Sequence, residues 1–126
     1  MKHPERLEDY LQHIAEAIER AREYLRPFDT FDAFRQQRRD QDAIIRNIEI
    51  IGEAARKIQK LAPELVNAHS EIPWSYMRGI RDKVIHEYFD VDLTLIWGTV
   101  KEDLPKLKQQ INGLLTDLKR DPDRER

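Results

Sequence analysis

Apolar residues recur every three or four positions through four stretches of the chain, the pattern of helices that turn one face toward a common core. The first stretch, about residues 4–25, sets Leu7, Leu11, Ile14, Ile18, Ala21 and Leu25 at that spacing. Pro4 suits a first helical turn, where a missing N–H costs nothing, and Pro27 stops the helix by disfavouring helical geometry at Arg26. The second runs from about Gln41 to Leu61, with Ile44, Ile48, Ile51, Ala55 and Ile58 in a four-three-four-three seam. Ala62-Pro63 ends it. Pro73 opens the third, which carries Trp74, Met77, Ile80, Val84 and Tyr88 on one side until Phe89-Asp90-Val91 interrupts it. Asp92 caps the fourth, whose apolar positions are Leu93, Ile96, Trp97, Val100, Leu104, Leu107, Ile111, Leu114 and Leu118.

The connections carry information of their own. Residues 27–39 include Phe28, Phe31 and Phe34, rings expected to close one end of the bundle, and Thr30 is placed to cap a short helical turn near 30–36. Residues 63–72 read as a loop. Pro105 inside the last helix predicts a kink or a restart near Asp103. The fold class expected is all-α, an antiparallel four-helix bundle over residues 1–119, with 120–126 as a wholly polar tail. The alternative is a long helical hairpin that completes its core by dimerising.

Composition narrows the class. The 126 residues suit one domain, and 40% hydrophobic with 37% charged residues describes a heavily charged soluble helical protein. No apolar run has the length of a membrane span, no signal-peptide core is present at the N-terminus, and there are no cysteines. A cytoplasmic protein is expected, without thiolate chemistry. The net charge of −2 excludes a general polyanion binder, so any nucleic-acid contact must use a local cluster such as Arg78, Arg81 and Lys83.

The chemistry concentrates in one segment. Trp74-x-x-Met77-Arg78-Gly79-Ile80-Arg81-Asp82-Lys83-Val84-Ile85-His86-Glu87-Tyr88-Phe89-x-Val91-Asp92 resembles the signature of HepT-like proteins, in which Arg and a polar residue precede His-x-Tyr. Arg46-Asn47-Ile48-Glu49-Ile50-Ile51-Gly52-Glu53-Ala54-Ala55 and the Asp103-Leu104-Pro105 step resemble the same family, so the resemblance spans nearly the whole chain. Asp82 stands where that family more often has asparagine. The fold implied is the HEPN-type helical bundle.

On an ideal helix Arg81 and His86 lie roughly 140° apart and share no face. Either the helix unwinds near His86 and bends the imidazole back, or the two residues meet partners from a second chain. Asp82 and His86, four apart, are placed to touch, which would orient the ring and favour its protonated form.

The resemblance implies a toxin of a type VII-like toxin–antitoxin system: an endoribonuclease that needs neither metal nor cofactor and acts on transfer or messenger RNA at a homodimer cleft. Arg81 and His86 would be catalytic, with Asp82, Arg78 and Lys83 in support. Tyr88 would be the residue on which a cognate MntA-type nucleotidyltransferase places AMP, silencing the nuclease. Neither DNA nor a membrane is an expected partner. Two alternatives remain: a non-catalytic HEPN subunit serving as nucleotide-binding scaffold to a nucleotidyltransferase, and a purely structural bundle.

Plainer roles compete for several residues. Arg81 could simply bridge to a carboxylate on a neighbouring helix, and Tyr88 could be half-buried core with its hydroxyl at the rim. Arg46, Glu49, Glu53 and Lys57 fit a solvated ladder, with Glu53 expected to pair with an arginine across the bundle or dimer seam. Gly52 costs helix stability for no local gain, which predicts close backbone approach by another helix. Trp74 and Trp97 are expected as core or interface anchors, and His3, His13 and His69 have no metal-site spacing.

Overall fold

The computed structural model describes residues 4–87 and 89–120, whose regular elements are helices apart from one short hairpin. Helix α1 spans Pro4–Leu25 and seals Leu11, Ile14, Ala17, Ile18 and Ala21 from solvent. Helix α2 (Phe31–Arg35) is a single capped turn, in which the Thr30 hydroxyl accepts the Ala33 N–H at 3.1 Å. Phe34 is wholly buried there, with Phe28, Phe31 and Trp97 packed round it at ring distances of 5.6–6.4 Å. The aromatic end-closure expected from the sequence is this cluster.

Helix α3 (Arg38–Leu61) starts three residues before the expected start at Gln41. Its first turn, Arg38-Arg39-Asp40, is polar and leaves no periodic mark. The buried Gln41 amide donates to the carbonyls of Phe34 and Arg35 at 2.9 and 3.1 Å, which ties that turn to the end of α2. A second correction falls at residues 63–72, read as a loop. Pro63–Ala68 form helix α4, because a proline that ends one helix is equally suited to the first turn of the next.

Helix α5 (Trp74–Val84) buries Trp74, Met77, Ile80 and Val84 as the spacing predicts, but it stops earlier than expected. Ile85 is extended (φ −115°, ψ 108°), and Ile85–Glu87 form strand β1 against β2 (Asp90–Val91), antiparallel and with an irregular register. The β-branched pair Val84-Ile85 favours this change, and the Asp92 N–H captures the Val84 carbonyl at 2.7 Å. Tyr88 and residues 121–126 of the expected tail lie outside the described residues.

Asp92 caps helix α6 (Leu93–Gly98), accepting the Leu95 N–H at 3.0 Å. A π-helical turn over Thr99–Asp103 then leads into α7 (Leu104–Arg120). The irregularity predicted at Pro105 is therefore a widened turn just before it, where the ring displaces an ordinary helical hydrogen bond. Tyr76 of α5 braces this turn: its hydroxyl donates to Asp103 at 2.6 Å and lies 3.4 Å from the buried Thr99 hydroxyl.

The long helices make a four-helix bundle in which α1 packs along α3 and α7, while α5 lies on α3. One salt bridge, Lys108 to Glu19 at 2.6 Å, joins α7 to α1. No helix of the described residues is long and apolar enough to cross a membrane. The close approach expected at Gly52 lies between α3 and α5, where an added Cβ would stand 2.8 Å from the Met77 carbonyl oxygen.

Gly52→Ala should therefore push α5 off α3. The overpacking cost of about 1–3 kcal/mol outweighs the helix-propensity gain of about 1 kcal/mol, so Tm falls. Gly113→Ala, where nothing stands within 4 Å of the added methyl, should raise Tm, and a denaturation series on both variants checks the contrast. Burial, aided by the Asp103 hydrogen bond, pushes the Tyr76 phenol up to about 12 from an ordinary value of 10.0. The folded state favours the protonated phenol, so its contribution holds below pH 10.0 and is lost as pH rises through about 12. A phenolate absorbance titration should show Tyr76 titrating late, and Asp103→Asn should shift it downward.

Candidate active site

Of the residues singled out in the sequence, Arg78, Arg81, Asp82 and Lys83 lie on α5 and His86 on β1, while Arg46, Gly52 and Glu53 lie on α3. Arg78 and Arg81 sit on the α5 face turned toward α3, with Arg81 half exposed. Its Nε donates to Glu49 of α3 at 3.1 Å, and its Nη1 donates to Asp82 at 3.3 Å. The hydrogen bond to Glu49, more than the one to Asp82, raises the guanidinium above its already high ordinary value, so it is permanently charged. The bridge to a neighbouring helix weighed for Arg81 is thus present, on a side chain that keeps further N–H donors.

An open groove of about 630 Å³ runs between α3 and α5. Arg46 and Arg56 line it from α3 and Arg78 and Arg81 from α5, with Glu49, Glu53 and Asp82 interspersed and Gly52 and Gly79 in the wall. The positive cluster differs from the one expected along the sequence. Lys83 does not line the groove; its Nζ lies 5.6 Å from the centre of the Tyr76 ring. Arginines of α3 take its place because helix packing joins residues that the sequence separates.

Within the chain, Glu53 pairs with Arg56 one turn along its own helix at 2.6 Å rather than with an arginine across the bundle, one of the two partners expected for it. Arg46 reaches Glu49 at 3.8 Å, also within α3, while Arg78 donates to Gln59 at 2.9 Å. The spacing of three between Glu53 and Arg56 explains the local choice.

His86 stands on β1, exposed, with Nδ1 3.6 Å from an Asp90 carboxylate oxygen across the hairpin. The expected Asp82–His86 contact is replaced by this one. It required a continuous helix, and with α5 ended at Val84 the four-residue spacing no longer sets the two side chains on one face. For the same reason the 140° separation no longer applies. The helix unwinds just before His86, as one of the two expectations had it, and the imidazole is carried by a strand.

Glu49 and Asp90, the carboxylates that meet Arg81 and His86, were not among the expected site residues. Glu49 lay hidden in a charge ladder, and Asp90 was legible only as a helix interruption. Tyr88, the expected modification site, lies outside the described residues. Among the described residues no group of three or more His, Cys, Asp or Glu is arranged to hold a metal ion.

A family model described as "Ribonuclease HepT-like" matches residues 14–114. A Thermococcus cleftensis protein named "Probable ribonuclease HepT" is 46% identical over 106 residues, covering 84% of this chain and 93% of that protein. A Methanocaldococcus jannaschii protein named "Gamma-glutamylcyclotransferase and putative RNase" is 45% identical over 109 residues, covering 86% of this chain and 47% of that longer protein. A Caldanaerobacter subterraneus subsp. tengcongensis protein named "Putative RNase" is 37% identical over 106 residues, covering 84% of this chain and 91% of that protein. No solved structure matches the chain.

Glu49→Gln leaves an oxygen to accept from Arg81 and removes one negative charge from the groove. Exposed ion pairs are worth about 0.2–1 kcal/mol, so Tm should barely move. The affinity of the groove for a phosphodiester strand should rise a few-fold and depend more steeply on salt. Fluorescence anisotropy with a labelled single-stranded oligonucleotide at two salt concentrations reads this, and weaker binding would contradict the charge-compensating role of Glu49.

Proposed function

This chain belongs to the HepT-like ribonuclease family, and on that premise we propose that it is a metal-independent endoribonuclease acting as the toxin of a toxin–antitoxin pair. The observation that carries the reading is the break between α5 and β1. It leaves a permanently charged Arg81 on a groove lined by arginines and carboxylates and an exposed His86 a few residues along the chain. These are the two groups that RNA cleavage without a metal requires: a phosphate binder and a proton acceptor.

In the proposed reaction His86 takes the proton of a ribose 2′-hydroxyl. The freed oxygen attacks the adjacent phosphorus, and the bond from phosphorus to the 5′-oxygen breaks. A second acid returns a proton to that leaving oxygen; in a homodimer the partner subunit's His86 would serve. Products are a 2′,3′-cyclic phosphate and a free 5′-hydroxyl. Arg81 binds the phosphate through its planar fork and stabilises the charge gained in the transition state. RNA phosphate would compete with Glu49 and Asp82 for that fork, and Asp90, 3.6 Å from Nδ1, would orient the His86 ring. Arg78, together with Arg46 and Arg56, would carry neighbouring phosphates.

Restraint would come from Tyr88. AMP placed on its hydroxyl by a cognate nucleotidyltransferase would put bulky negative charge two residues from His86, obstructing RNA. Residues 1–119 are proposed to fold as the one domain that bears these activities. A second reading has an observation of its own: carboxylates meet both Arg81 and His86, as they would in structural pairs. That reading makes the chain a non-catalytic, nucleotide-binding scaffold of a nucleotidyltransferase complex.

Expression of the unmodified chain alone should arrest growth and yield RNA fragments with cyclic-phosphate and 5′-hydroxyl ends. His86→Ala should lower cleavage by about 10²–10⁴-fold, with Arg81→Ala similarly impaired and both variants harmless. Coexpression with a cognate nucleotidyltransferase should relieve arrest only while residue 88 is tyrosine. Three harmless proteins, none releasing RNA fragments, would leave the scaffold reading standing.

A further inference from the structure

Around the bundle the order is α1, α3, α5 and then the π-helical turn with α7, which closes back on α1. The groove occupies the seam between α3 and α5, so the seam between α1 and the π-helical turn lies on the opposite side. A depression of about 160 Å³ is set there. Its cations are Arg22 and Arg26, at and just past the end of α1, and Lys101 of the turn; the buried Leu25 and Val100, with Pro105, complete the lining. No carboxylate lines it, whereas Glu49, Glu53 and Asp82 all line the groove.

The charges at this seam do not balance. Glu19 accepts from Lys108 at 2.6 Å and lies 3.6 Å from Arg22 and 3.4 Å from Arg26, so one carboxylate is divided among three cations. The hydrogen bond from Lys108 holds Glu19 below the ordinary carboxylate value, which keeps it ionised. Lys101 has no share in it. Its ammonium lies 4.7 Å from the centre of the Trp97 ring, a contact that fixes the side chain without neutralising its charge. Arginines at the end of α1 complement the helix dipole, but that does not account for a lysine brought in by another element. Glu23 and Glu102 adjoin these cations in sequence and do not line the depression. Like charges gathered in one small hollow repel each other, and an anion placed between them relieves the repulsion.

We propose that Arg22, Arg26 and Lys101 form a second anion site, which takes a phosphate group from a free phosphate compound or from an RNA segment other than the strand in the groove. Each guanidinium carries five N–H donors, so Arg22 and Arg26 can keep Glu19 and still present a pair of donors to phosphate oxygens. Lys101 adds a point charge. A short strand lying in the groove does not reach this site, because the body of the bundle stands between the two seams. A bound phosphate would tie the end of α1 to the π-helical turn, whose Asp103 holds Tyr76 of α5. The site stands independently of the ribonuclease reading.

The test is a calorimetric titration with inorganic phosphate, the ionic strength held constant with sodium chloride. The wild type should bind saturably, and its Tm should rise with phosphate because the ligand favours the folded state. Arg26→Gln combined with Lys101→Gln alters two exposed side chains and should leave the fold intact. It should weaken phosphate binding about tenfold or more, the loss expected when charged hydrogen-bond donors are removed. Arg81→Ala should bind phosphate as the wild type does. Three results overturn the proposal: no saturable binding, binding unchanged in the double variant, or binding lost in Arg81→Ala, which would assign the anion to the groove. A 2′-O-methyl RNA stem-loop, resistant to cleavage, is then added to phosphate-loaded Arg81→Ala. Displacement of phosphate identifies RNA backbone as the source the site accepts, and retention identifies a free phosphate compound. No readout depends on cleavage, so failure of the ribonuclease reading leaves these results standing.

Discussion

The approach of α5 to α3 at Gly52 governs the site. A methyl group at that position would sit 2.8 Å from the Met77 carbonyl, so the helices can close only where a side chain is missing. The same closeness brings Arg81 within 3.1 Å of Glu49 and sets arginines from both helices along one groove. Glycine inside a helix costs about 1 kcal/mol relative to alanine. That cost is offset by the packing of Met77, Ile80 and Val84 against the core and by the contact between helices.

Electrostatically the groove is balanced rather than simply positive. Glu49, Glu53 and Asp82 alternate with the arginines, so the resting molecule carries no large uncompensated charge at this face. Under the proposed function a chain with a net charge of −2 would bind a polyanion by exchange, the phosphate replacing carboxylates on cations already positioned. Arg81 suits this exchange better than lysine would, because a guanidinium can hold one partner through Nε and present other N–H groups elsewhere.

The end of α5 matters as much as its packing. A helix continued through His86 would have turned the imidazole away from Arg81. The β-branched pair at 84–85, the captured Val84 carbonyl and the short hairpin replace that geometry with a strand. On the other side of α5, Tyr76 fixes the π-helical turn ahead of Pro105 through Asp103. The helix that carries Arg81 is thus held at two faces, by α3 and by the widened turn.

Much of this was legible in the sequence alone. The long helices, the caps at Thr30 and Asp92, the aromatic end, the irregularity near Pro105 and the close approach at Gly52 all follow from local spacing and backbone chemistry. The resemblance spread along the chain pointed to the family that the comparisons then identified. What the sequence could not decide are pairings between elements. Glu49 on Arg81, Asp90 on His86 and the addition of Arg46 and Arg56 to the groove depend on how helices pack and where α5 ends. Glu53 turned to its own helix, and α4 formed where a loop was expected, because proline marks the start of a helix as well as its stop. Periodicity reports which face of an element is buried. Only the folded chain determines which charged groups that burial brings face to face.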